Sequence, residues 1–170
     1  MRRNWDAIWL VARREFLDQL RDWRIVVPMA LLVSVFPFIA DDTTRQAVSF
    51  MNRFGGGLIL DNLIPFVILV IGFFPLSFTL VVALEAFVGE KERGTIEPLL
   101  SSPLEDRHMY LGKLLVGITT PLVFSFLSIG IYLILVSRRD VAFPSAYMLT
   151  LILLLTFAHA VLMVSSAIVI

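Results

Sequence analysis

Residues 63–84 read LIPFVILVIGFFPLSFTLVVAL and are followed at 85–103 by EAFVGEKERGTIEPLLSSP. The first stretch has 22 residues and no charged side chain, which is enough for a helix to cross the hydrocarbon core of a bilayer. The second stretch contains six ionised side chains: Glu85, Glu90, Lys91, Glu92, Arg93 and Glu97. The sequence therefore predicts that the chain leaves a membrane near residue 84 and presents a compact charged segment to water.

Three further apolar runs lie on either side of this pair, at 25–40, 114–136 and 147–170. In the whole chain 58% of residues are apolar, only 16% are charged, and the mean hydropathy is +0.88. This composition is typical of an integral membrane protein. We expect an all-α polytopic helix bundle with an amino-terminal interfacial helix (1–24), a transmembrane domain (25–170) of four spans, and a cytoplasmic helical hairpin in the 85–113 loop.

The connections between the runs exclude several other classes of protein. They contain 22, 29 and 10 residues, each too few to bury a core of its own. The formal net charge is zero, which gives no basis for binding nucleic acid, and the chain has no cysteine for disulfides or thiolate chemistry.

The distribution of Lys and Arg predicts the orientation. The segments on one side contain ten: Arg2, Arg3, Arg13, Arg14, Arg21, Arg24, Lys91, Arg93, Arg107 and Lys113. The segments on the other side contain four: Arg45, Arg53, Arg138 and Arg139. We therefore expect a multi-pass protein of the cell membrane with its amino terminus and the charged segment in the cytoplasm.

Residues 4–24 form an amphipathic pattern. At helical spacing the apolar side chains share one face, and the largest of them are the aromatic residues Trp5, Trp9, Phe16 and Trp23. Tryptophan favours the headgroup boundary, so we predict a helix lying on the membrane surface. The alternative is a helix packed against a neighbouring protein.

The charged segment is predicted to form two short helices. Gly94 can adopt the left-handed conformation that ends a helix, and Thr95 can cap the next one. A further start follows at 102–105, where serine, proline and glutamate form a capping box. The hairpin is interpreted as a docking element; the alternative is a well-capped turn without a partner.

The run 90–103 (EKERGTIEPLLSSP), followed by LGKLL at 111–115, resembles the cytoplasmic signature of permease subunits of type-2 ATP-binding cassette (ABC) exporters. The amino-terminal helix, with its acidic-basic pair Arg14-Glu15, is similar to the connecting helix of that family. The family usually has six spans per subunit, whereas this sequence shows four, so the resemblance implies either a fragment of a longer subunit or a shortened gene product.

The resemblance implies that the 85–113 loop carries a coupling helix that docks on a separate ABC ATPase subunit. The docking surface would comprise Glu90, Lys91, Glu92, Arg93, Gly94, Thr95, Glu97, Leu99 and Leu100. It also implies that ATP and Mg bind to the partner, that no cofactor binds to this chain, and that a second permease copy completes the transporter in the lipid bilayer. The cargo is not identified by any pattern in the sequence.

Two features inside the spans are candidates for packing or function. Small or helix-bending residues recur on one face of the third span, which is typical of a helix-helix seam: Gly117, Pro121, Ser125 and Ser128. His159 is the ionisable residue deepest in a span and is a candidate for the transport pathway, although a hydrogen-bonded packing role is the simpler interpretation.

Two other functions compete with that of a permease. An intramembrane hydrolase would need a His-Glu-x-x-His metal pattern or a serine facing a histidine, and only Ser165 and Ser166 lie near His159. A non-transporting membrane anchor or assembly factor would need no chemistry, so the sequence leaves that alternative open.

The predicted orientation can be tested with single cysteines, since the chain has none of its own. Cysteines at Asn4 and Thr95 should resist a membrane-impermeant thiol reagent in intact cells, because both are predicted to be cytoplasmic. A cysteine at Thr44 should react. Labelling of position 95 from outside would overturn the orientation.

Overall fold

The structure of the protein is a computed structural model, which describes residues 2–55, 57–78, 81, 106–138 and 143–169, and the side chains of 8–55, 62–78, 81, 111–138 and 143–166. The described residues form five helices: α1 (Arg2–Arg21), α2 (Trp23–Phe54), α3 (Gly57–Leu76), α4 (Asp106–Ser137) and α5 (Ala146–Val169). All regular structure in these ranges is helical, which confirms the predicted all-α bundle. The predicted hairpin at 85–105 lies outside the described residues.

The boundary between α1 and α2 is a single residue. Asp22 has an extended backbone (φ −79°, ψ 98°), and its carboxylate accepts a hydrogen bond from the Arg24 backbone N–H at 3.0 Å. This is an N-cap, which satisfies one of the amides that a helix start leaves without a partner. Helix α2 therefore begins almost directly after α1, with no longer linker between them.

Helix α2 continues well beyond the predicted apolar run at 25–40. It ends at Gly55, whose positive φ of 81° lets its N–H bond the Met51 carbonyl at 2.8 Å. Most of the predicted 41–62 connection is therefore helical. Within this extension, Asp41 pairs with Arg45, and Gln46 donates to Asp42 at 2.9 Å, both at the spacing of one helical turn.

Within the part of the chain that the structure describes, three helices contain stretches long and apolar enough to cross a membrane: Trp23–Phe54, Leu111–Ser137 and Ala146–Ser166. In α3 the apolar part described is shorter, Asn62–Leu76, and the predicted span continues to residue 84, beyond the described part of the helix. Large apolar side chains such as Leu31, Phe66 and Leu162 are more than half exposed on the outside of the bundle. Such a surface suits lipid or further protein, not water.

Helix α4 occupies the centre. It contacts each of the other four helices. In the apolar 18-residue stretch of α4, 44% of residues are buried inside the bundle. The corresponding fractions are 28% for α2 and 22% for α5. The main core cluster joins Ile129, Tyr132 and Val136 of α4 to side chains of α2, α3 and α5. These side chains are Ala40, Ile64, Ile68, Ile71 and Ile152.

Three buried hydroxyl groups of α4 bond to three different helices. Thr120 Oγ1 donates to Gln19 Oε1 of α1 at 2.8 Å. Ser125 Oγ donates to the Gly72 carbonyl of α3 at 2.7 Å, and the Tyr132 hydroxyl lies 2.9 Å from Thr44 Oγ1 of α2. These contacts fix α4 against its neighbours at successive levels.

The close approach of α3 to α4 depends on Gly72. A Cβ atom at this position would lie 3.0 Å from Ile129 Cδ1 and 3.5 Å from Ser125 Oγ. The absence of a side chain therefore allows the serine hydroxyl to reach the backbone carbonyl, as small residues do in membrane helix packing.

Thr44 is buried, so the prediction that a cysteine at this position would react with an outside reagent is wrong. Its side chain is 5% exposed and bonded to Tyr132, so a cysteine at this position would be shielded from a reagent on either side of the membrane. The neighbouring Thr43 is exposed and is the appropriate position for the outer label.

The interhelical hydrogen bond of Ser125 can be tested with Ser125→Ala. We expect the free energy of unfolding in mild detergent to fall by about 0.5–1.5 kcal/mol, because the substitution removes the donor to Gly72. The control is Ser137→Ala on the same helix, since Ser137 is exposed and donates to Ile134 within its own turn. Equal effects of the two substitutions would show that the contact with α3 contributes nothing.

Candidate functional site

The predicted 85–113 loop overlaps the described residues at the start of α4, where Gly112 takes part in a junction between α1 and the first half of α4. Ile8 and Ala12 of α1 are buried there, at 7% and 6% exposure. Opposite them, a Cβ atom on Gly112 would lie 2.7 Å from Val11 Cγ1 and 3.3 Å from the Ala12 backbone nitrogen. The two helices therefore touch almost backbone to backbone at this point.

A second contact fixes the direction of the two helices. Gln19 and Thr120, joined by a hydrogen bond of 2.8 Å, lie eight residues after Val11 and Gly112 respectively. Eight residues correspond to about 12 Å of helix. Since both helices advance by the same distance between the two contacts, α1 and the start of α4 run parallel and in register.

The predicted interfacial aromatics divide between two environments. Trp9 and Trp23 are 70% and 71% exposed, whereas Phe16 is half-buried. The Trp5 side chain lies outside the described residues. The side of α1 that packs on α4 is thus centred on Ile8, Ala12 and Gln19, and Trp9 lies outside it. Trp23, predicted to belong to the same helix, is the first residue of α2.

The outer surface of α1 combines apolar and charged side chains. Leu10, Leu17 and Leu20 are exposed, and three arginines, Arg13, Arg14 and Arg21, lie among them along a shallow groove. Apolar and basic side chains on one exposed helix face are typical of contact with a membrane surface or a partner.

The four residues of the predicted seam on α4 are all buried. They contact more than one helix: Ser125 bonds to α3, while a Cβ atom on Gly117 would lie 3.7 Å from Val164 of α5. Pro121 lies inside α4 between them. The hydroxyl of Ser128, which is fully buried, has no hydrogen-bond partner among the described residues.

His159 packs against an aromatic ring. Its imidazole centroid lies 4.6 Å from that of Phe73 on α3, and the ring planes are inclined at 70° in an edge-to-face arrangement. The side chain is half-buried. Among the residues that the structure describes, no group of three or more His, Asp or Glu side chains could hold a metal ion.

Comparison with known protein families identifies the family of this chain. Residues 9–170 match the family described as ABC-2 family transporter protein. The chain belongs to this family. It matches no curated protein and no solved structure.

Membership of the ABC-2 family gives the arrangement a functional frame. The chain is a multi-pass membrane protein and a permease component of an ABC transporter, a transport component and not itself a catalyst. The ABC-2 family also implies partnership with an ABC ATPase subunit. The family resemblance noted in the sequence is thereby confirmed.

The predicted docking residues of this ABC-2 protein, 90–100, lie outside the described part of the chain. What the structure adds is the junction of α1 with the first half of α4, which the sequence did not single out. Gln19 was the available signal, because it follows Ile8 and Ala12 on one helix face and a polar side chain there calls for a partner.

The junction can be tested with Gly112→Ala. The new methyl group would meet Val11, whose β-branched side chain has little rotamer freedom in a helix, so α1 must shift. We expect the free energy of unfolding to fall by about 1–3 kcal/mol in mild detergent.

Gly130→Ala is the matched control on α4, since nothing lies within 4 Å of a Cβ atom there. It should be neutral or stabilising by up to about 1 kcal/mol, because alanine is the better helix former. A stabilising effect of Gly112→Ala would contradict the close contact.

Proposed function

We propose that this chain is the permease subunit of an ATP-driven exporter and is coupled to a separate ATPase through the 85–113 loop. In this proposal the loop is cytoplasmic, and residues 90–100 form the coupling helix. ATP and Mg are bound by the ATPase, and this chain binds no cofactor. A second permease copy completes the translocation path, and the cargo is not specified.

The observation that best supports coupling is the position of α4. This helix begins at Asp106, so its first eight residues belong to the 85–113 loop, and it contacts every other described helix. A displacement applied at its start would therefore act on the whole bundle. Rigid helices with two alternative packings are the usual means by which such a displacement changes access to a path.

Helix α1 supports the same proposal. It lies along the first four turns of α4 through the Val11–Gly112 and Gln19–Thr120 contacts. A partner that docks on the loop would meet α1 as well, because both lie at the same end of α4. The exposed arginines of α1 would extend the charged surface offered to that partner.

An intramembrane hydrolase gains no support from the geometry. Ser165 and Ser166 donate their hydroxyl hydrogens to the carbonyls of Val161 and Met163 in their own helix. His159 lies against Phe73. These groups are engaged in local packing, whereas nucleophilic catalysis requires a serine hydrogen-bonded to its base.

The coupling proposal can be tested by reversing charge in the loop. The full chain carrying Arg93→Glu together with Gly94→Pro should reach the membrane normally. The amount of ATPase subunit that co-purifies with it should fall at least about tenfold. The reasons are charge repulsion and loss of a helix end. ATP-dependent transport should fall in parallel.

Arg53→Glu is the control for this experiment. Arg53 is exposed near the carboxyl end of α2, at the opposite end of the bundle from α1. Its reversal should leave both co-purification and transport unchanged. Normal coupled transport in the loop variant would rule out docking through residues 90–100.

A further inference from the structure

A cavity of about 260 Å³ opens between α2, α3 and α4 at the end of the bundle far from α1. Its lining residues are Asp41, Thr44, Arg45, Val48, Ser49 and Asn52 of α2, Ile64 of α3 and Val136 of α4. Val136 lies 24 residues after Gly112, which corresponds to about 36 Å along α4. The cavity is thus well separated from the junction of α1 with α4.

The cavity lies where the apolar stretches of three helices meet polar sequence. Asp41 follows directly on the apolar run that ends at Ala40, and Ile64 comes two residues after Asn62. On α4, Val136 comes two residues before Arg138. In a membrane protein this level corresponds to the headgroup region of one leaflet.

Opposite charges are arranged by depth in the cavity. The Asp41 side chain is 7% exposed, whereas that of Arg45 is 63% exposed. The distance between Asp41 Oδ2 and Arg45 Nη2 is 3.5 Å. The carboxylate lies at the inner end and the guanidinium at the mouth. Asn52 and Ser49 add neutral polar groups, and both are exposed.

The inner wall of the cavity is held in place without a ligand. Thr44 donates to the Ala40 carbonyl at 2.7 Å and lies 2.9 Å from the hydroxyl of Tyr132, which is fully buried. Ile64 and Val136 are 2% and 1% exposed. A preformed cavity with a few fixed polar groups on an apolar wall is the usual character of a small-molecule site.

We infer that this cavity binds a zwitterionic group that carries a primary ammonium and a phosphate, the headgroup chemistry of an ethanolamine phospholipid. The ammonium lies at Asp41 and donates charge-assisted hydrogen bonds to the carboxylate. The phosphate lies at Arg45, whose guanidinium donates to phosphate oxygens. The ammonium of the ligand thus meets the buried carboxylate, and its phosphate meets the exposed guanidinium.

The surroundings favour a lipid as the source of this group. Phe38, one turn before Asp41 on α2, is 56% exposed and provides apolar surface for acyl chains on the hydrocarbon side. The cavity volume suits a headgroup and leaves the chains outside. This site does not depend on the proposed coupling to an ATPase.

The test is a lipid titration of the purified full chain in mild detergent, followed by native mass spectrometry. Ethanolamine, choline and glycerol phospholipids with identical acyl chains are compared. We expect one ethanolamine lipid to bind at least about tenfold more tightly than the others. Choline has no N–H to donate to a carboxylate, and the glycerol headgroup has no ammonium.

Two variants with matched controls locate the site. Asp41→Asn and Arg45→Gln should each weaken binding of the ethanolamine lipid about tenfold. Arg45→Gln changes the more exposed side chain of the two, at 63% exposure, so binding is compared only among variants that unfold cooperatively like the unaltered protein. Asp42→Asn and Arg53→Gln should have no effect, since both side chains are exposed and neither lines the cavity.

A competition experiment distinguishes the two sources of the ligand. If water-soluble glycerophosphoethanolamine binds as tightly as the lipid, the ligand is a solute; if it competes only weakly, the ligand is a membrane lipid. Both results require recognition of the same headgroup. Equal binding of the three lipids, or equal losses for Asp41→Asn and Asp42→Asn in folded protein, would overturn the inference.

Discussion

Hydroxyl groups of a helix surrounded by other helices are stabilised by partners within the protein, and in α4 the buried hydroxyls of Thr120, Ser125 and Tyr132 have partners on neighbouring helices, whereas Ser128 has none among the described residues. Water and polar lipid groups do not reach the centre of a membrane protein, so an unpaired polar group there is unfavourable. Helix α4 bonds outward in three directions. Thr120 reaches α1, Ser125 reaches α3 and Tyr132 reaches α2. The positions of these neighbours follow from the hydroxyls of one helix.

The same contacts separate the bundle into levels with different properties. Near Gly112 the packing is tight and parallel, and it joins α4 to a helix whose outer surface is basic and apolar. Around Ser125 the interior is dense with small side chains and the Gly72 backbone. Beyond Tyr132 a cavity with both polar and apolar lining residues opens between α2, α3 and α4. In the two proposals made above, one end of this permease component meets a partner protein and the other meets the lipid headgroup region.

The sequence predicted those features that depend on local composition. The apolar runs, the all-α architecture and the family resemblance were all legible, because each rests on neighbouring residues. The pairs Gln19–Thr120 and Thr44–Tyr132 were not, since their members are 101 and 88 positions apart. The continuation of α2 past Ala40 was also missed. Asp41 and Asp42 read as the start of a loop, but each has a partner one turn later that stabilises the helix.

The single residue between α1 and α2 has a mechanical consequence. Successive Cα atoms are about 3.8 Å apart, so Asp22 provides almost no slack between the two helices. Any tilt or translation of α1 larger than a few ångströms has to carry the first turn of α2 with it. Helix α1 is therefore held at two points, by the covalent chain to α2 and by packing to α4. A force applied to its outer surface divides between two helices that meet again at Thr44 and Tyr132, at the far end of the bundle.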